Sequence, residues 1–200
     1  MTRTLLSEKI IGLILLATVM LIGCRSSAPP VQFYTLSATR TQTVSNTITA
    51  LKPISVGVGP VAIPEVLDRP QIVVRTSPNK LKIDEFHRWA EPLKNNFMRV
   101  LKEDLAEILK TDSIFVYPWP AGAVFEFQVS VEVARFEAHP GDSAELDVQW
   151  TILRNHDGEV ILSRKSSYSV GLGGSDYKTI VAAQSRAVAD FSREVQRNFA

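Results

Sequence analysis

Asp84, Glu85, His87 and Glu91 crowd one short stretch of the sequence. Carboxylates beside an imidazole are what a metal site or an acid–base pair would use. The plainer reading is a strand-to-helix junction, where charged side chains face solvent or offset a helix dipole, and it is the one we adopt. His139 and His156 stand beside Gly in turn-forming strings, and the three histidines do not fall at metal-ligand spacings. Gly57-Val58-Gly59-Pro60-Val61-Ala62 matches G-x-G-x-x-A, but that fingerprint needs a helix opening at the glycines. Pro60 and Pro64 leave no room for one, so a bend or bulge in a strand is expected. No serine sits in a G-x-S-x-G elbow. The expectation is a chain that is not an enzyme, with no metal and no nucleotide cofactor.

The single cysteine is the chemically distinctive residue. Arg3 and Lys9 precede a charge-free run from Ile10 to Ile22. As a helix that run would reach about 20 Å, short of the ~30 Å hydrocarbon core, so it reads as the apolar region of a signal peptide. It ends Leu21-Ile22-Gly23-Cys24, which resembles the bacterial lipobox. The resemblance implies cleavage before Cys24 and acylation of its thiol; no cofactor is expected beyond this covalent lipid anchor. The competing reading is a free or buried cysteine beside a signal anchor. Arg25 follows where an Asp would mark retention, so export to the outer membrane is expected by resemblance to enterobacterial sorting.

Lys plus Arg number 22 and Asp plus Glu 21, a balance that argues against a partner held by phosphate contacts, and so against nucleic acid. Losing residues 1–23 removes Arg3, Lys9 and Glu8 and leaves a formal net charge of zero. One cysteine excludes an internal disulfide. The apolar fraction of 45% is too high for a disordered chain.

The elements follow from periodicity. Residues 1–23 are the signal peptide. Residues 24–52 are the lipidated cysteine and a Ser/Thr/Ala/Pro-rich tether, with a possible edge strand at 32–37. Residues 53–200 form one domain. Strands are expected at 54–63, 71–75, 81–86 and 114–117. Phe125, Phe127, Val129, Val131 and Val133 alternate with polar residues, as do Ala144, Leu146, Val148, Trp150 and Ile152. With Val160, Leu162, Tyr168 and Val170 they predict a three-stranded antiparallel meander. Leu93, Phe97, Val100, Leu101, Leu105 and Ile108 make one helical face after Pro92. Ser175 or Asp176 caps a last helix with Ile180, Gln184, Val188, Phe191, Val195 and Phe199 in its seam. The fold class is α+β: a mostly antiparallel, mixed sheet with two amphipathic helices on one face.

Two strings remain, Asp68-Arg69-Pro70 and Arg88-Trp89-Ala90-Glu91-Pro92-Leu93. Structurally, Asp68 would accept from turn amides, Arg69 pair with a carboxylate and Trp89 staple the helix start to the sheet. Functionally, an Arg–Trp pair is a contact surface. Together with Phe33-Tyr34-Thr35-Leu36-Ser37 and the run from Val56 to Val74, these strings resemble the ABC-type transport auxiliary lipoprotein family, in particular its paraquat-inducible protein C group. The resemblance implies a non-enzymatic accessory of lipid trafficking in Gram-negative envelopes. It implies an anchor on the periplasmic face of the outer membrane, and inner-membrane-anchored MCE-domain partners like paraquat-inducible protein B. Cys24 carries over as the lipidation residue; Asp68, Arg69, Arg88 and Trp89 carry over as signature positions without a role. A domain of this size cannot both enclose a lipid path and keep a packed core, so a ring-like homo-oligomer around the partner's tip is expected. The alternative is a structural envelope lipoprotein that stabilises another periplasmic complex without touching lipid.

Overall fold

Alternation of apolar and polar side chains builds the centre of the protein. The computed structural model describes residues 29–39 and 54–199; Cys24, the signal segment and most of the tether lie outside them. Strand β6 (Phe127–His139) pairs antiparallel with β7 (Ser143–Arg154), which pairs antiparallel with β8 (Val160–Gly171). This is the predicted meander. Val131 faces Trp150 and Val133 faces Val148 across the ladder. The register then slips between Val133 and Arg135, a β-bulge that shifts the buried phase to Phe136 and Ala138. Glu137 is thereby turned to the opposite face, where it is buried and ion-paired with Arg75.

The N-terminal strands join largely in parallel. Strand β2 (Val56–Ala62) lies against the first half of β6 and carries β5 (Ile114–Val116) on its other edge. Strand β3 (Gln71–Ser77) meets the end of β6 at Val74–Ala138 and forms a hairpin with β4 (Lys80–Trp89). Strand β1 (Gln32–Tyr34) adds to β4 in parallel, Tyr34 opposite Trp89. The eight strands make one mixed sheet, order β1-β4-β3-β6-β2-β5, with β7 and β8 off the other side of β6. The glycine-rich string is strand, as expected: β2 shifts register between Val58 and Val61, and Gly59 there takes φ +117°.

Two helices cover one face. Helix α1 (Leu93–Leu109) starts after Pro92, whose carbonyl accepts from the Asn96 N–H at 3.0 Å. Its residues Leu93, Phe97, Val100, Leu101 and Leu105, at steps of three and four, are all buried. Helix α2 (Tyr177–Gln196) is capped by Asp176, whose Oδ1 accepts from the Thr179 N–H at 3.0 Å. It starts with Tyr177 beside Tyr34 and His87, and just past its end Phe199 packs on Phe127, ring centroids 5.4 Å apart. Phe97 meets Phe136 edge-on at 5.7 Å, tying α1 to the bulged end of β6. Phe127, expected on the buried face, is half-buried, because it sits at the sheet's open end.

Candidate functional site

The two signature strings, far apart in sequence, meet. The Trp89 N–H donates to the Pro70 carbonyl at 2.7 Å, and the Ala90 N–H donates to the Tyr34 carbonyl at 2.8 Å. The turn before β3 is closed by the Leu67 and Asp68 N–H groups on the Pro64 carbonyl, at 2.8 and 3.0 Å. Asp68, Arg69 and Pro70 from that turn and Trp89, Ala90, Glu91 and Pro92 from the β4–α1 junction line an open cleft of about 420 Å³. Trp89 is 5% exposed and forms part of the core beneath it. Two prolines and an indole make stiff apolar walls, while Asp68, Arg69 and Glu91 supply charge. The Arg69 Nε is buried without a hydrogen-bond partner. The stiff apolar walls and the charged rim of Asp68, Arg69 and Glu91 suit holding a segment of another molecule.

Arg88 does not join it. Its Nε donates to the Glu85 carbonyl and its Nη2 to Glu85 Oε2, both at 2.9 Å. The Gln71 amide first, then Arg88, hold the Glu85 carboxyl below its ordinary range. The cluster of Asp84, Glu85, His87 and Glu91 is likewise dispersed. Glu91 bonds Arg99 Nε at 3.0 Å, from the junction. Asp84, Glu85 and His87 lie inside β4, which runs further than expected because β1 pairs with its last three residues. His87 Nδ1 is 2.8 Å from the Tyr34 hydroxyl, and its ring stacks on Tyr177 at 3.9 Å. Burial first, then the nearby Asp84 carboxylate, push the Tyr177 hydroxyl up to about 12. The Phe86 N–H, and secondarily Lys82, lower Asp84.

Sequence reasoning passed over a buried polar stripe between the helices and the residues after β1. Leu36 N–H donates to Asn96 Oδ1 at 3.1 Å, Ser37 N–H to Ser185 Oγ at 3.2 Å, and Thr39 N–H to Asp104 Oδ1 at 3.0 Å. Ser192 Oγ donates to Asp104 Oδ2 at 3.3 Å. These bonds satisfy the backbone of a segment that, among the described residues, pairs with no strand beyond Tyr34. The signal was present: Asn96 and Asp104 sit at apolar-face spacing in α1. Desolvation raises the Asp104 carboxyl to about 6 despite those bonds. The folded state therefore holds this proton more tightly than the unfolded chain does. The stabilisation is fully present below about pH 4 and is lost as pH rises through about 6. Asp104→Asn keeps the acceptor for Thr39 and removes the titration. Its thermal midpoint is expected to exceed that of the wild type increasingly from pH 4 to 7, by the equivalent of about 1–3 kcal/mol. Thermal unfolding at both pH values checks this, and a constant difference would refute the assignment.

A family model described as the ABC-type transport auxiliary lipoprotein component matches residues 34–196. No curated protein matches the sequence. Among solved structures, one crystal structure of an uncharacterized protein overlays with a TM-score of 0.70 at 19% identity, covering 86% of this chain and all of its own. Another, a DUF330-family protein from Xanthomonas campestris, overlays at 0.67 and 18% identity, covering 82% of this chain and 92% of its own. At those identities both support the fold alone.

Proposed function

Starting from a chain that belongs to the ABC-type transport auxiliary lipoprotein family, we propose that it is a non-catalytic outer-membrane lipoprotein of an intermembrane lipid transport system. It docks the periplasm-spanning end of an MCE-domain partner, as expected from its likeness to the paraquat-inducible protein C group. The observation that carries the reading is the convergence of Asp68-Arg69-Pro70 with Trp89-Ala90-Glu91-Pro92 around one open cleft. The Arg69 side chain lines it, and arginine is among the residue types that most often carry an interface's binding energy. Rigid proline walls lose little entropy when a partner docks.

The packed interior supports the ring as well. Trp150, Phe97, Phe136 and Phe191 fill the space between sheet and helices, which leaves a lipid path to form between copies or inside the partner. Exposed lipid chain costs ~0.8 kcal/mol per CH₂, so the covered route must be continuous up to the membrane.

Crosslinking the native protein in its own membranes, followed by identification of what it captures, tests this. An MCE-domain protein is expected, with recovery falling at least tenfold for Arg69→Glu while the variant keeps the wild-type thermal midpoint. Capture of other envelope proteins without any MCE protein would favour the structural-lipoprotein alternative and overturn the proposal.

A further inference from the structure

We propose that the β1 edge of the domain, led by Val31 and Phe33, seats on the lipid bilayer that holds the anchor. The inference rests on reading Cys24 as acylated. Seven residue steps separate Cys24 from Val31, and a fully extended chain covers at most about 25 Å over that length. The β1 edge therefore stays close to the headgroup layer. Helix α2 leads away from it: Tyr177 at its start touches Tyr34, while Phe199 past its end touches Phe127. A helix of 20 residues is about 30 Å long, so the Phe127 end of the domain lies that much further from β1.

The side chains at the near edge suit a lipid surface. Phe33 is 66% exposed and Val31 41% exposed. Alternation puts these two on one face of the strand, while Gln32 and Tyr34 turn to the other, where the Tyr34 hydroxyl bonds Gln32 Oε1 at 2.7 Å. An exposed phenylalanine in water gains by entering the boundary between headgroups and acyl chains. A cation accompanies it: the exposed Lys178 shares a groove with Phe33, while Arg88, opposite Phe33 in the ladder, is held by Glu85. Cations beside an apolar anchor favour lipid phosphates. Among the described residues no strand pairs with the outer side of β1, and seating this edge covers a side that would otherwise invite strand pairing.

The chain has one cysteine, so acylation of Cys24 leaves no thiol, and a cysteine added elsewhere becomes the sole labelling site. Lipidated full-length Phe33→Cys, Val31→Cys and Val124→Cys would each be labelled with an environment-sensitive fluorophore. They would be reconstituted into phosphatidylethanolamine–phosphatidylglycerol vesicles containing a lipid with a nitroxide near the headgroup. Val124 is 82% exposed and lies near Phe127, so it reports on the far end. Fluorescence at positions 31 and 33 is expected to fall at least twofold with nitroxide lipid, and that at 124 to stay unchanged. Equal, weak quenching at all three positions, with the unmodified protein refusing label, would overturn the seating while leaving the anchor intact. Labelling of the unmodified protein at Cys24 would instead overturn the anchor and the seating with it.

Discussion

Trp150→Ala is expected to destabilise the protein by ~3–5 kcal/mol. Trp150 is 1% exposed, among the largest fully buried side chains. Its ring meets Phe191 of α2 edge-on at 5.7 Å, and its Nε1 donates to Ser166 Oγ at 3.0 Å. Ser166 passes the chain on to Glu194 Oε1 at 2.9 Å, while Tyr168 bonds the other Glu194 oxygen at 2.5 Å. Truncation thus opens a cavity between β7 and α2 and loosens a polar chain that fastens β8 to the same helix. Native domains hold only about 5–15 kcal/mol in total, so the denaturant midpoint should drop by a large fraction with little change in slope. Trp150→Phe separates the two contributions. It keeps an aromatic ring against Phe191 and gives up the indole hydrogen bond, a net loss of about 1 kcal/mol plus the smaller volume. Equilibrium denaturation of both variants measures this, and a loss below 1 kcal/mol for the alanine would mean that the Trp150 face is not the core.

That face was legible because period two persists through β7 without interruption, from Ala144 to Ile152. In β6 the same alternation was legible only to Val133. The bulge before Arg135 adds a residue, so Phe136 and Ala138 face the core although their parity places them outside. The parallel pairings were not legible. A short strand such as β1 has no periodicity of its own, and its partner is fixed by where the chain returns, not by its side chains. The length of β4 followed from that: His87 reads as a junction residue until Gln32 is found beside it. At the candidate site, types and strings could be recognised but not their sides. Arg69 and Arg88 look equivalent in sequence. One faces the cleft and the other turns to Glu85, because β4 alternates and the turn before β3 does not. The polar stripe of Asn96, Asp104, Ser185 and Ser192 was hidden because a polar residue on an apolar helical face reads as a local irregularity until a backbone needing partners is laid across it.

On the proposed outer-membrane lipoprotein reading, Cys24→Ser should remove the protein from that membrane altogether. Residues 21–24 place the thiol directly after the apolar run and a glycine, where acylation and cleavage of a lipoprotein precursor occur. Serine is nearly isosteric, but its hydroxyl lacks the nucleophilicity of a thiolate, so neither acylation nor the cleavage that depends on it should proceed. The magnitude follows from the chains involved. One myristoyl group binds a bilayer only marginally, with an association constant of roughly 10⁴ per molar, whereas further chains add ~0.8 kcal/mol for each buried CH₂. An anchor of several chains therefore does not dissociate on any useful timescale, and its loss is all or none. The seating proposed for Phe33 and Val31 does not substitute for it: one phenylalanine and one valine give less than a single acyl chain. The wild type should take up labelled palmitate and fractionate as a processed chain with the outer membrane. The serine variant should take up none, and should appear as a larger precursor held by its uncleaved signal segment or be lost from that fraction. Under the proposed docking role a partner arriving at the outer membrane would then find no receptor there, and crosslinked recovery of an MCE-domain protein should fall to background although the folded domain is intact. A processed serine variant still seated in the outer membrane would refute the lipoprotein assignment, and the docking function built on that anchor would lose its footing.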